Sequence, residues 1–257
     1  MAAATSCPTA GTDACIQLRA DAVGYAVNQL IATANNKQIV ANQFRIGLYP
    51  FIQNLYAYFA LTSSINGSPT DSSTINYAAA NLATQLDTNT NSNLGSGGTH
   101  IDTSLNTLNT TYIKSVGNGS ATTNTLPYVF LVTDGAQDPQ TKALNTSGGW
   151  AGSNHATTIS TTPSPCAALK SRGIIVSVLY IPYEPISPVN SSFAGDEDDA
   201  ANNNINGPPG IKKSLQNCAS PPDAGGSYYY EGNTPDEINT ALQAMFNHSI
   251  QTAHITN

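Results

Sequence analysis

Apolar residues recur at helical spacing near the amino terminus, where they predict one buried face of a helix over residues 15–36. Residues 43–51 and 54–65 are rich in β-forming side chains, and the short connection between them predicts an antiparallel pair. Residues 71–87 open on Asp71, a good N-cap, and continue with Ala and Leu at helical spacing. The first third of the chain therefore predicts a helix, a strand pair and a second helix.

Two nearly continuous apolar runs, "LPYVFLVTD" and "IIVSVLYIPY", mark the second half of the chain. Such runs are typical of central parallel strands that are covered on both faces. Helices are predicted over about 101–112, 164–173, 209–220 and 234–253, and a short aromatic strand over 227–232. Gly173 closes the second of these helices, and Asp236 and Glu237 lie in the first turn of the last.

Strands that alternate with helices predict an α/β fold with an open, mostly parallel, doubly wound sheet of Rossmann-like type. We expect one domain over residues 1–257, with long polar loops at 139–165 and 182–207. In such folds ligands bind beyond the carboxyl ends of the strands. This edge is where candidate binding residues are to be sought.

Only 10% of the residues are charged, and the net charge is −7 with a pI near 4.8. Nucleic acid would require a basic stripe, and an anionic membrane surface a polybasic patch, so neither is an expected partner. No run of 18 apolar residues occurs, so we expect no membrane segment in this chain. A surface rich in Asn, Ser and Thr is common on exported proteins.

The four cysteines are Cys7, Cys15, Cys166 and Cys218. None forms a CxxC motif, so the pattern does not favour a zinc ribbon or thioredoxin-type chemistry. An even number without metal-ligand spacing favours two disulfides in an oxidising compartment, and four buried free thiols are the alternative. Of the three possible connectivities we predict Cys7–Cys15 with Cys166–Cys218.

Thr99 and Asp134 are the candidate ligand pair, since Asp134 directly follows a predicted buried strand and Thr99 precedes a predicted helix. A hydroxyl and a carboxylate from neighbouring loops offer the oxygen ligands that Mg²⁺ prefers, with waters completing the octahedron. The two residues alone do not define a site.

Other candidates are weaker. "GSGGTH" lacks the lysine of a phosphate-binding loop. His100 could act as a base for a serine nucleophile, but the chain has no G-x-S-x-G nucleophile elbow. The acidic run 196–199 lacks the ligand spacing of an EF-hand and is better explained as a solvated loop. His155 and His248 are expected to be ordinary surface residues. With neither a nucleophile–base pair nor a cofactor motif, an enzyme is not expected.

"GSGGTHIDTSL" followed by "VFLVTDGAQD" resembles the von Willebrand factor A-type domain. "PCAALKSRGIIVSVLYIPY", "SLQNCAS" and "INTALQAMF" in this order resemble the TadG-like proteins of bacterial tight-adherence (Flp) pilus assembly. The resemblance covers nearly the whole chain. It implies a metal-ion-dependent adhesion site in which Thr99 and Asp134 are ligands of Mg²⁺ or Mn²⁺. The supporting loop positions that it implies are Gly97, Gly98, Gly135 and, indirectly, Asp138.

One departure from the family pattern is large. The family's first central strand ends in Asp-x-Ser-x-Ser, which supplies the other three metal ligands, and this chain contains no such motif. We therefore expect the first central strand to be missing and the metal site to be incomplete. The hypothesis is that the sequence starts at an internal methionine of a longer, membrane-anchored protein.

The resemblance implies a non-enzymatic binding module of the bacterial cell envelope, periplasmic or on the extracellular surface. It would act in Flp pilus assembly or in surface adhesion by binding a protein partner. The alternative is an envelope scaffold that uses the fold only for metal-independent protein–protein contacts through its neutral loops.

Overall fold

The structure is a computed structural model that describes residues 19–86, 92–95, 98–120, 124–137, 157–182 and 209–255. Cys7, Cys15, Gly97 and Asp138 lie outside the described residues, as do His155, the acidic run 196–199 and most of the two long polar loops.

Seven helices and five strands are described. The helices are α1 (Arg19–Lys37), α2 (Ile75–Ala80), α3 (Leu82–Gln85), α4 (Ile101–Thr107), α5 (Pro165–Ser171), α6 (Ile211–Cys218) and α7 (Pro235–Ile255). The strands are β1 (Ile46–Leu48), β2 (Phe59–Thr62), β3 (Tyr128–Thr133), β4 (Ile175–Tyr180) and β5 (Tyr229–Glu231). A 3₁₀ turn at Ser92–Leu94 and a π-helical turn at Leu108–Tyr112 complete the set.

The strands form a three-stranded parallel sheet in the order β3-β4-β5 and a separate antiparallel pair, β1-β2. Strands β3 and β4 pair over their whole length, from Tyr128 opposite Ile175 to Thr133 opposite Tyr180. The predicted parallel central strands and the antiparallel pair are confirmed. No ladder between described residues joins β1 to β3, so the two sheets remain separate there.

Side chains alternate across β3 and bury two cores on opposite faces of the sheet. Val129 and Leu131 belong to a core shared with α4, α5 and α6. Phe130 and Val132 pack on the other side, in a core built mainly by α1, α2 and α7. The result is a mixed α/β structure whose parallel sheet is flanked by helices, as in Rossmann-like folds.

The boundaries of the helix predicted over residues 71–87 were wrong. The helix predicted from Asp71 begins only after Thr74, whose hydroxyl accepts a hydrogen bond from the Tyr77 N–H and caps α2. The Asp71 carboxylate instead accepts the N–H of Ser73, which forms a turn ahead of the helix. The helix is also interrupted at Asn81, where the backbone leaves the helical region between α2 and α3. Local turn-forming side chains therefore decided where this helix begins and breaks.

The predicted bond between Cys166 and Cys218 is confirmed. It joins α5 to α6, and both cysteines are buried in the core that these helices share. For this pair the alternative of free thiols was wrong. A disulfide of this kind places the protein in an oxidising environment, extracellular or in the envelope.

His248 was predicted to be a surface residue, and this was wrong. Its side chain on α7 is only 4% exposed, with Nε2 2.7 Å from the Asp223 carboxylate and Nδ1 3.2 Å from the Tyr230 hydroxyl. Tyr228 stacks on the imidazole and donates its hydroxyl to the same carboxylate. A single histidine on a helix carries no signal for such a cluster, because its partners are 18 to 25 residues distant in the sequence.

Desolvation acts to raise the pKa of Asp223, but hydrogen bonds from Tyr228, His248 and the Gly225 N–H outweigh it and hold the pKa well below its usual value. A carboxyl whose pKa is lowered on folding adds stability above its unfolded pKa, and the stability is lost as the pH falls through the folded pKa. The contact of Asp223 with His248, which ties α7 to the turn before β5, therefore contributes fully at neutral pH and is lost in strong acid.

Removing the disulfide with Cys166→Ala and Cys218→Ala should lower the free energy of unfolding by about 2–4 kcal/mol, because the unfolded chain regains the freedom of a long loop. The check is urea denaturation, in which the slope with denaturant should also rise as the unfolded state expands. The control is the same urea series in a reducing agent, where the wild type also lacks the bond and the two midpoints should converge. An unchanged midpoint in the double variant without the reducing agent would contradict the prediction.

Replacing Asp223 by Asn should cost about 1–3 kcal/mol at pH 7, since a charged acceptor of several hydrogen bonds is lost. The difference from the wild type should stay constant above the unfolded pKa of about 3.8 and shrink below it. Denaturation curves between pH 2 and 7 measure this, with the exposed Asp236→Asn as the control. A difference that grows on acidification would show that the sign is wrong.

Candidate binding site at the carboxyl edge of the sheet

Asp134 directly follows β3 and is exposed at the carboxyl edge of the parallel sheet. Its carboxylate accepts the Ala136 N–H at 3.3 Å, and the Gly135 N–H donates to the Thr133 hydroxyl at 3.0 Å. Gly135 has φ of +82°, and a Cβ there would lie 2.5 Å from Ile211 on α6. A glycine is therefore required for the turn that presents Asp134.

Thr99 is half-buried in the segment that leads into α4. Gly98 before it has a left-handed backbone with φ of +73°. His100 after it donates its backbone N–H to the Ile52 carbonyl at 2.8 Å, so the connection between β1 and β2 borders the same segment. The two candidate ligands thus lie on two loops that different elements hold in place.

A buried side chain joins the two loops. Gln137, only 6% exposed, accepts the Asp102 N–H at 3.1 Å and donates its amide to the Asp102 carboxylate at 3.0 Å. Asp102 lies three residues after Thr99, and Gln137 lies three residues after Asp134. The reciprocal pair therefore fixes the Thr99 loop against the Asp134 loop.

The segment around Ser160 completes this network. Its N–H donates to both oxygens of the Asp102 carboxylate at 3.1 Å, and its hydroxyl donates to one of them. Gln137 also donates to the Thr158 carbonyl at 2.8 Å and exchanges backbone hydrogen bonds with Thr157. Sequence reasoning missed these residues, although an acidic residue in the first turn of α4 was a visible signal.

Arg19 was also missed. It is the first residue of α1, and its guanidinium donates to the Pro182 carbonyl at 2.6 Å. Pro182 lies just beyond β4, and the Ile181 N–H donates to the Thr133 carbonyl at 2.9 Å, next to Asp134. The structure therefore brings a cation to the same edge of the sheet as the exposed carboxylate.

Four effects act on the pKa of Asp134. Desolvation by surrounding protein atoms raises it, although the residue as a whole is exposed, and this effect dominates. The hydrogen bond from Ala136, the positive charge of Arg19 and the hydrogen bond from the backbone N–H of Asp134 itself lower it in part. The carboxyl is therefore less acidic than in water, while its ionised form has a cation nearby to stabilise it.

The donor set fits a resident metal ion only in part. Thr99 and Asp134 offer two of the hard oxygen atoms that Mg²⁺ or Mn²⁺ prefers. Over the described ranges no group of three or more His, Cys, Asp or Glu side chains could hold a metal ion. The neighbouring guanidinium also opposes a second cation at this edge.

Comparisons with known proteins give similarities of fold. No protein-family model matches the chain, and no curated protein matches its sequence. The pilus adhesin SpaC from Lactobacillus rhamnosus GG, in an open conformation, is 16% identical with a TM-score of 0.49, over 91% of this chain and 28% of the adhesin chain. A second crystal form of SpaC has a TM-score of 0.50 with the same identity and coverage.

Proximal thread matrix protein 1 from the mussel byssus is 14% identical with a TM-score of 0.45, over 88% of this chain and 42% of that one. The chain therefore spans less than half the length of each of these three solved chains. At these identities the second SpaC form shows a common fold and nothing beyond it.

Gln137→Glu should destabilise the protein by about 1–3 kcal/mol at pH 7, because a donor to Asp102 is replaced by a like charge. The loss should diminish as the pH falls towards 4, where the new carboxyl takes up a proton and donates again. Urea denaturation at several pH values checks this, with the exposed Gln216→Glu on α6 as the matched control. Equal stabilities of the two variants would contradict a role for Gln137 in joining the loops.

Proposed function

We propose that the chain is a non-enzymatic, adhesion-related binding module that acts outside the cytoplasm and contacts a protein partner through the carboxyl edge of its sheet. The observation that carries the proposal is the fold shared with the pilus adhesin SpaC over 91% of the chain. The Cys166–Cys218 disulfide supports an extracellular or envelope location. Among the described helices, none has the length and apolar character needed to cross a membrane.

The finer proposal is a single von Willebrand factor A-type domain of a TadG-like protein that takes part in Flp pilus assembly. Its support is the motif series in the sequence, with Thr99 and Asp134 at the positions of two metal ligands. In this version Mg²⁺ or Mn²⁺ at the sheet edge would supply a Lewis-acidic position for a carboxylate of the partner. Thr99 and Asp134 would hold the ion, and the contacts between Asp102 and Gln137 would keep their loops together.

The second candidate is a metal-independent interaction scaffold that uses the same edge. One observation favours it, namely the guanidinium of Arg19 beside the strand end next to Asp134. A fixed cation at this place gives the edge a positive charge without a bound ion. In both candidates Asp134 is part of the binding surface. They differ in the cation that neutralises its carboxylate, which is a metal ion in the first and Arg19 in the second.

The proposed function predicts that Asp134→Ala weakens adhesion and leaves the fold intact. In the source organism, cells that lack the gene would be complemented with the wild type, with Asp134→Ala or with the control Gln216→Ala, and attachment to a surface would be measured. We expect the first variant to lose attachment by about tenfold if one charged contact of about 1.4 kcal/mol disappears. Full attachment by Asp134→Ala, at equal protein levels, would contradict a binding role for this edge.

Pilus number in the same strains separates the finer proposal from the general one. A role in Flp pilus assembly predicts fewer pili without the gene, counted by electron microscopy. A normal number of pili with reduced attachment would support adhesion and argue against assembly.

A further inference from the structure

We infer that Arg19 is the resident cation of the carboxyl edge and that it makes the site around Asp134 independent of a divalent metal ion. The inference rests on the proposed function only in taking this edge as the binding surface. Neither the sequence motifs nor the comparisons point to Arg19. Its place at the edge follows from the position at which α1 begins.

The geometry of the strand ends places Arg19 beside Asp134. In the β3–β4 ladder Thr133 lies opposite Tyr180, so the residues that follow them leave the sheet side by side. Neighbouring strands are about 4.8 Å apart, and the guanidinium of Arg19 is bound to the carbonyl of Pro182 on the second of these segments. The cation therefore lies about one or two strand spacings from the Asp134 segment.

The packing of α1 holds the guanidinium there. Ala22 and Ala26, one and two turns after Arg19, are 1% and 0% exposed in the core that α1 shares with α7. Small side chains at these positions bring the start of α1 close to its neighbours. Arg19 is thus fixed at the edge by the helix as well as by its own hydrogen bond.

A guanidinium keeps its charge at all physiological pH values, so Arg19 is a constant source of positive potential at the Asp134 carboxylate. The downward effect of Arg19 on the pKa of Asp134 agrees with this proximity. A divalent ion bound to Asp134 would face this positive charge, with Thr99 as the second candidate ligand among the residues that the structure describes. The repulsion between like charges at such distances weakens metal binding strongly.

The test uses the full 257-residue chain and Mn²⁺ alone as the probe. Paramagnetic broadening of backbone amide signals at residues 98–102 and 134–137 would be followed by NMR during a Mn²⁺ titration. Arg19→Gln removes the charge, and Arg19→Lys keeps it. Lys37→Gln, at the exposed far end of the same helix, is the matched control for the loss of one positive charge.

We expect no selective broadening in the wild type, Arg19→Lys or Lys37→Gln at millimolar Mn²⁺. Arg19→Gln should gain selective broadening at both loops, with an affinity at least about tenfold higher, because the repulsive charge is gone. Addition of Asp134→Asn to Arg19→Gln should abolish the gain.

Two results would overturn the inference. One is selective Mn²⁺ binding at both loops of the wild type with a dissociation constant below about 1 mM. This measurement does not depend on whether any variant folds. The other is an Arg19→Gln protein that is folded by circular dichroism and binds no more Mn²⁺ than the wild type. Neither result depends on adhesion, so failure of the proposed function and failure of this inference are separately visible.

Discussion

The in-register ladder between β3 and β4 is the constraint on which the rest of the described structure depends. Six consecutive pairs align the two strands, so they end together at one edge. The alternation along these strands then assigns each side chain to one of two cores, and each core fixes the helices on its face. A slip of one residue would exchange the two faces and turn the buried side chains of β4 towards the wrong helices.

The same ladder determines what can meet at the carboxyl edge. Asp134 leaves β3 beside the segment that leaves β4, and Arg19 at the start of α1 bonds to that second segment. On the other side, Gln137 joins the Asp134 loop to the start of α4 through Asp102. A carboxylate exposed to solvent is thus placed by buried hydrogen bonds on one side and by a cation on the other. Such pre-organisation limits the freedom that a binding surface loses when a partner docks.

Two further sets of contacts hold the helices in place. One is the disulfide, and the other is the cluster of His248 with Asp223, Tyr228 and Tyr230. The disulfide joins α5 to α6 on one face, and the histidine cluster joins α7 to β5 on the other. Because β5 is only three residues long, these side-chain contacts supplement a short ladder. The sheet that carries Asp134 at its edge is therefore flanked on both faces by helices that these contacts hold in place.

The sequence by itself determined the order of helices and strands, the parallel character of the central sheet and the position of Asp134 at a strand end. These features follow from local periodicity and from apolar runs, and both depend only on residues that are close together in the sequence. The Cys166–Cys218 bond was also within reach, as one of few pairings among four cysteines. The start of α2 after Thr74 was not predictable, since Asp71 and Thr74 are both good N-caps. The turn that Asp71 forms with Ser73 places the start of the helix after Thr74.

Only the tertiary structure decided which distant side chains became partners. Arg19 is 163 residues from Pro182, Asp102 is 58 from Ser160, and His248 is 25 from Asp223. None of these pairs has a spacing that periodicity can reveal, because each arises from two elements meeting in the packed fold. The sequence placed a carboxylate at the edge of the sheet, and packing decided that its neighbour would be a guanidinium.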